Sequence, residues 1–309
     1  MTEIEIRRKN SEAKRRGAFQ SIETTNKNKA AETYYRQATD KEIRRFLDRL
    51  FFELSRVYTT VSVENAAEDY NSPKKRKPSV ASVVFIVNLF KGKMLSVFSA
   101  NVEKIVMKYL SKATKEAKRS LQKSMEKEFG RAFRLNWTQN AYEDTLRLMI
   151  RRNVSLITNA TAQTLSNVEN IVYDAMTTGT GWEGIEHALH NQRHISADRI
   201  KRIARDQTAK TNAALNYIEQ KSAGIEFFEW SAIMDNRVSR GKGGHAQLNG
   251  KIYKWGDDEN YPVIDSYGNR GLPSQRVNCR CTALAVILKD GWEMRQNADG
   301  TYTPVKIRD

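Results

Sequence analysis

The chain has 309 residues, with 52 Lys and Arg against 36 Asp and Glu, a formal net charge of +16. Residues 1–155 hold 33 basic and 18 acidic side chains, whereas residues 156–309 hold 19 and 18. A basic half joined to a neutral half calls for an anionic partner, and only two cysteines, Cys279 and Cys281, exclude a disulfide scaffold.

In chain order, residues 1–30 are polar, charged and without apolar period, which predicts a basic mobile arm. The opening MTEIEIRRKN lacks the apolar core of a secretory signal. Residues 31–130 read as a basic helical region. Phe46, Leu47, Leu50, Phe51 and Leu54 share one helical face over 31–60. The run Lys74, Lys75, Arg76, Lys77 between Pro73 and Pro78 reads as a basic linker. The most apolar run, Val80 to Phe90, contains Asn88 and is followed by Lys91 and Lys93. It falls short of the roughly 18–20 residues that cross a bilayer, so no membrane partner is expected. Over 98–128, Phe98, Val102, Ile105, Val106, Tyr109, Ala113, Ala117, Leu121 and Met125 form a stripe opposite Lys104, Lys108, Lys112, Lys115, Lys118, Arg119 and Lys123.

A long helix is predicted over 138–177. A capping pair, Thr180 and Glu183, then opens a short helix at 181–190, and Ser196 caps another over 197–221. Ten of the 16 glycines lie at or after Gly224. That change of composition, with the aromatic runs 227–233, 251–255 and 282–288, predicts strands and loops. The fold class is therefore α+β, a long helical N-terminal half and then a C-terminal domain of helices plus a small, mostly antiparallel sheet. The last residues, 291–309, read as a tail.

Two constellations carry chemistry. Lys74, Lys75, Arg76, Lys77, Lys112, Lys115, Lys118, Arg119 and Lys123 suit phosphates or an acidic protein surface. Asp235, His245, Cys279 and Cys281 form a possible metal or structural core, with Trp230, Arg237 and Asn278 as framework. No cofactor is demanded, and zinc is the metal that two thiolates, an imidazole and a carboxylate would take. Against it, Cys-x-Cys is not the usual Cys-x₂-Cys knuckle. No catalytic residue is assigned. An ADP-ribosyltransferase would need a Glu-x-Glu pair, and Glu3-Ile-Glu5 in the arm is not a persuasive one.

The helix Arg199–Ala214, then Glu229-Trp230, Asp235-Asn-Arg-Val238, His245, Leu248-Asn-Gly-Lys251, a proline and Asn278-Cys-Arg-Cys281 follow one another in order. Preceded by Gly181-Trp-Glu-Gly-Ile185, this set resembles the phage Mu F-like head-morphogenesis family of minor head proteins in tailed phages. The resemblance covers about 140–288, within an expected domain of 131–290. It implies a non-enzymatic minor capsid protein acting in procapsid and head assembly. The implied partners are the portal protein, capsid or scaffold proteins and nonspecifically bound double-stranded DNA. The implied location is the virion interior, and the host bacterial cytoplasm during assembly. The alternative is a metal-dependent nucleic-acid-processing enzyme built on Asp235, His245, Cys279 and Cys281.

Overall fold

The computed structural model describes residues 3–23, 29–63, 79–130, 139–178, 180, 182–241 and 244–307. Lys74, Lys75, Arg76 and Lys77, the side chain of Glu183, and Lys242-Gly243 lie outside the described residues. The fold is α+β. The helices are α1 (Glu3–Arg15), α2 (Lys29–Val63), α3 (Val80–Leu89), α4 (Leu95–Phe129), α5 (Gln139–Thr178) and α6 (Trp182–Ser222). A single π-helical turn, Phe90–Met94, joins α3 to α4. The strands are β1 (Phe19–Ile22), β2 (Phe227–Ser231), β3 (Ile252–Lys254), β4 (Thr282–Leu288), β5 (Trp292–Gln296) and β6 (Tyr302–Lys306). They form one antiparallel sheet in the order β1-β4-β2-β3-β6-β5.

Two compact units divide the chain. One comprises Ala30–Tyr109 and Leu148–Arg205, the other Met1–Lys29, Leu110–Arg147 and Asp206–Asp309. Among the described residues, the regular elements of the first unit are all helices. Its apolar stripes meet through Phe46, whose ring lies 5.5 Å from Phe90 and 5.1 Å from Phe98. Tyr35 stacks on Tyr109 at 4.5 Å, and its hydroxyl donates to Asn153 Oδ1 at 2.7 Å. The buried phenol thus keeps a hydrogen bond, which offsets the cost of taking it out of water.

The second unit holds the sheet. In β2, Phe228 and Trp230 point inward while their neighbours are half-exposed, the period of a half-buried strand. They pack with Leu248, Tyr253, Trp255, Tyr261, Ile264, Cys279, Cys281 and Ala283. A second cluster gathers Ala13, Ala18, Phe19, Ile252 and Val286, and a third gathers Leu121, Met125, Ile225 and Ala285.

Four expectations change. The described residues of the expected arm, 3–23, are part of the fold: Ile6, Ala18 and Phe19 are buried, and β1 pairs with β4 from Phe19↔Leu288 to Ile22↔Ala285. Residues 291–309 supply β5 and β6 rather than a tail. The predicted helices 181–190 and 197–221 are one helix. Ser196 is no cap but shares a buried hydrogen bond with Thr164 Oγ1 at 2.7 Å. Finally, Lys91 and Lys93 interrupt the apolar run in sequence but not the helix. The continuous helical stretch Val80–Lys127 contains an 18-residue window of mean hydropathy 1.6, long and apolar enough to cross a membrane by length and composition.

Candidate metal centre and the loops that hold it

His245 opens a 3₁₀ turn, His245–Leu248, that packs against the β2 residues Phe228 and Trp230 through Leu248, with Ala246 also buried. Its ring stands edge-on to the fully buried Trp230 at 5.6 Å. The residue before it must be glycine. A Cβ on Gly244 would lie 2.5 Å from the Ser239 carbonyl oxygen, and that same carbonyl accepts the Ala246 N–H at 3.0 Å. The long loop before the histidine is therefore folded back at its base, and it aims the imidazole.

Cys279 and Cys281 are both buried at the entry to β4. Two left-handed residues shape their loop: Ser274 has φ 66° and Asn278 has φ 58°. Such backbone is costly outside glycine and needs outside support. Ser274 Oγ donates to the Cys281 carbonyl at 2.8 Å, and the Asn278 N–H donates to Asp206 Oδ1 at 2.8 Å. Asp206 on α6 also bonds Lys210, and Gln207 Nε2 at 3.0 Å. Roughly three and four turns further along α6, Asn216 and Gln220 donate to the Ala283 carbonyl at 2.7 and 3.1 Å. Gln220 also accepts from the Trp255 indole N–H at 2.9 Å.

The result is a tight donor cluster. His245 Nδ1 lies 3.3 Å from Cys279 Sγ and 3.4 Å from Cys281 Sγ, and the three ligand atoms all lie within 4.8 Å of one another. His245 Nε2 lies 3.3 Å from the Ile264 carbonyl, which also accepts from Arg276 at 2.8 Å. Donation from Nε2 leaves Nδ1 with its lone pair facing the sulfurs, the arrangement of a metal-ligating histidine. Zinc bonded at about 2.3 Å to sulfur and about 2.0 Å to nitrogen places those atoms roughly 3.5 Å apart, so the spacing fits. A cavity of about 160 Å³ adjoins the cluster, lined by Arg237, Val238, Ser239 and the loop 276–281.

Charge is distributed unevenly among these groups. Cys281 and then His245 hydrogen-bond the Cys279 sulfur, so Cys279 is pulled well below the ordinary thiol range and Cys281 is pushed up. When Nδ1 instead carries a proton it donates to the Cys279 thiolate, and that bond raises His245 above its usual value, against its partial burial. Asp235 is not in the cluster. Its two oxygens take a bidentate grip from Arg280 at 2.6 Å each, which holds the carboxyl well below the usual carboxylate range. The Arg237 N–H adds a bond at 3.0 Å. Asp235 therefore ties the loop after β2 to the cysteine loop and offers no oxygen to the donor set.

Sequence reading grouped Asp235, His245, Cys279 and Cys281, with Trp230, Arg237 and Asn278 as framework; the structure brings His245, Cys279 and Cys281 together with Trp230 against the imidazole, and places Asp235 on Arg280 instead. Sequence reading missed Asp206, Arg280, Ser274, Asn216 and Gln220. One signal was present: Asp206 is the lone acid in the basic helix segment 199–214, four residues before Lys210. Of the basic residues, Lys112, Lys115, Arg119 and Lys123 are exposed along α4 and Lys118 is half-buried.

A helix pinned to an antiparallel sheet, with a Cys/His cluster closing the loops at one end, is the class of domain defined here. Residues 166–284 match the family described as Phage Mu protein F like protein, so the chain carries a Mu F-like segment. An uncharacterised protein of Haemophilus influenzae is 31% identical over 135 residues, 44% of this chain and 28% of that protein. An NAD(+)–arginine ADP-ribosyltransferase of Enterococcus faecalis is 27% identical over 137 residues, 42% of this chain and 28% of that protein. The chain spans less than a third of the length of these curated relatives. No solved structure gives a significant match.

Proposed function

We propose that the protein is a minor head protein of a tailed phage, a virion component acting in procapsid and head assembly without catalysis. The Mu F-like match over 166–284, falling on the helix and loops that build the Cys/His cluster, carries this reading. The enzymatic name of the E. faecalis relative belongs to a protein of which the matched segment is 28%. In the proposed role, the neutral C-terminal domain docks on the portal or the capsid interior. The basic face of α4 meets packaged double-stranded DNA. The protein resides in the virion interior, after assembly in the host bacterial cytoplasm. The cluster of His245, Cys279 and Cys281 is structural, holding the docking loops in register, and zinc is the metal its donors suit.

Lys112, Lys115, Arg119 and Lys123 recur on one exposed side of α4, opposite buried Ala113, Ala117, Leu121 and Met125. Phosphate contacts of this kind release counterions, so binding should be sequence-independent and fall steeply with salt. The test compares the full chain with a Lys112→Ala, Lys115→Ala, Arg119→Ala, Lys123→Ala variant on random duplex DNA across a salt series. Loss of four contacts should flatten the log–log salt slope by roughly 3–4 units. An unchanged slope would remove DNA from the proposal and leave α4 as a protein-facing surface. Co-expression with the cognate portal protein tests docking, and failure to co-purify would count against that arm alone.

A further inference from the structure

His245, Cys279 and Cys281 supply three donors, and zinc takes four ligands. Among the described residues no fourth Cys, His, Asp or Glu joins them. Asp235 has both oxygens on Arg280. Asp265 turns into its own loop, where it accepts the Tyr267 and Asn269 N–H groups at 3.0 Å and the Asn269 side-chain amide at 2.9 Å. A closed structural site fills all four positions with protein, whereas a three-donor site leaves one to an outside ligand. All three donor residues line the cavity of about 160 Å³, so the position that protein does not fill faces it.

That cavity has a sign. None of its lining residues is acidic, and three of them are Arg237, Arg276 and Arg280. The loops 233–241 and 270–281 hold five arginines and one acid, Asp235. Arg280 is committed to that acid. Arg237 reaches it only at 3.5 Å, and Arg276 spends one N–H on the Ile264 carbonyl at 2.8 Å. Three guanidinium groups against one carboxylate leave a surplus of two positive charges at the cavity. A divalent metal with two thiolates and a neutral imidazole is itself uncharged, so the surplus favours an anion over water in the fourth position.

Shape narrows the anion. Half-buried Ile233 and Val238 and exposed Val277 complete the lining, which suits a charged head on an apolar stem. At about 30 Å³ per water-sized group the space takes a carboxylate and its neighbouring carbons, but no nucleotide. We propose that the Cys/His centre binds its metal through three protein donors and takes a carboxylate from outside as the fourth ligand, held in the cavity by Arg237 and Arg276. This rests on reading the cluster as a metal centre. The lining offers no carboxylate and no second histidine to serve as a general base, so the site holds a ligand and does not turn one over. Two sources supply such a group: a free small acid, or an Asp or Glu side chain of a docked protein.

The test loads the full chain with Co²⁺, whose visible bands report coordination and whose near-ultraviolet thiolate band reports the two sulfurs. Acetate, an Ala-Asp-Ala peptide blocked at both ends and inorganic phosphate are titrated separately at constant neutral pH and ionic strength. Acetate is expected to shift the visible bands saturably while the thiolate band stays. The Arg237→Gln, Arg276→Gln double variant should keep the thiolate band and bind acetate at least about tenfold more weakly, as loss of charge-assisted hydrogen bonds implies. Arg237→Gln alone, which breaks only the long contact with Asp235, carries the comparison if the double variant loses the thiolate band. Tighter binding of the peptide than of acetate assigns the carboxylate to a protein side chain, and the reverse order assigns it to a free acid. No visible shift with acetate or peptide, equal affinity in the wild type and the arginine variants, or a shift with phosphate alone overturns the proposal. A full chain that takes up no Co²⁺ and shows no thiolate band overturns it together with the zinc assignment. Neither result touches the head-assembly reading, whose tests use α4 and the portal.

Discussion

Asp206 links α6 to the cysteine loop: one carboxylate accepts the Asn278 N–H and bonds Lys210, both in a largely buried setting. Replacing it with alanine strands a left-handed backbone N–H and a mostly buried ammonium together. Asp206→Ala should therefore cost about 2–3 kcal/mol in urea unfolding, and Asp206→Asn, which keeps an acceptor for Asn278, distinctly less. Asp235 gives a pH signature. Its pKa is depressed in the fold by Arg280, so its contribution is complete above the unfolded value of about 3.9 and is lost as pH falls through the lower folded value. The Tm gap between wild type and Asp235→Asn should hold steady from neutral pH to about 4 and close only in stronger acid. A gap that closes near pH 6 would instead implicate a histidine. At this scale the donor types of His245, Cys279 and Cys281 were legible because few side chains share that chemistry. The role of Asp235 was not: a carboxylate suits a metal or a guanidinium equally, and Arg280 is 45 residues away in sequence.

Among elements, α2, α4 and α5 were read almost to their ends because 3.6-residue periodicity accumulates over many turns, whereas α6 was read as two helices. The strands that escaped are short, and their partners are distant. β1 is four residues, and it pairs with β4 more than 260 positions later. No local pattern records such a pairing. Phe19 is nevertheless buried against Ala13, Ala18, Ile252 and Val286, with Lys14 stacked 5.8 Å from its ring centroid. Phe19→Ala should cost about 3–4 kcal/mol and release β1 first, seen as early hydrogen exchange at Gln20 to Ile22. β6 hid behind Pro304, since proline argues against a central strand. Its register explains the tolerance. Beyond Tyr302, which faces Ile252 of β3, the ladder continues only with β5, so one side of the strand at Pro304 has no bond to lose.

At the scale of the whole chain, the sequence suggested a basic helical region ending near residue 130 and a separate domain after it. The sheet-bearing unit obeys a different division, drawing on Met1–Lys29, Leu110–Arg147 and Asp206–Asp309. Its cores depend on all three segments. Ile225 and Ala285 are covered by Leu121 and Met125 from α4, and Val286 by Phe19. The edge of β4 is covered by β1, and Lys14 and Ser21 both reach Glu229 on β2. A fragment of residues 131–309 retains the Mu F-like match and every member of the Cys/His cluster. It nonetheless lacks the side chains that close two of the three clusters, and it presents β4 as a bare apolar edge. That fragment should fail to melt cooperatively, bind a hydrophobic dye and aggregate, whereas the full chain shows a single sharp transition for this unit. Adding residues 1–130 in trans should restore part of the dichroism signal by supplying β1 and α4. A fragment that melts sharply at the full-chain Tm would show that residues 206–309 close their own core. The N-terminal segments would then be ornaments of the sheet rather than part of its fold.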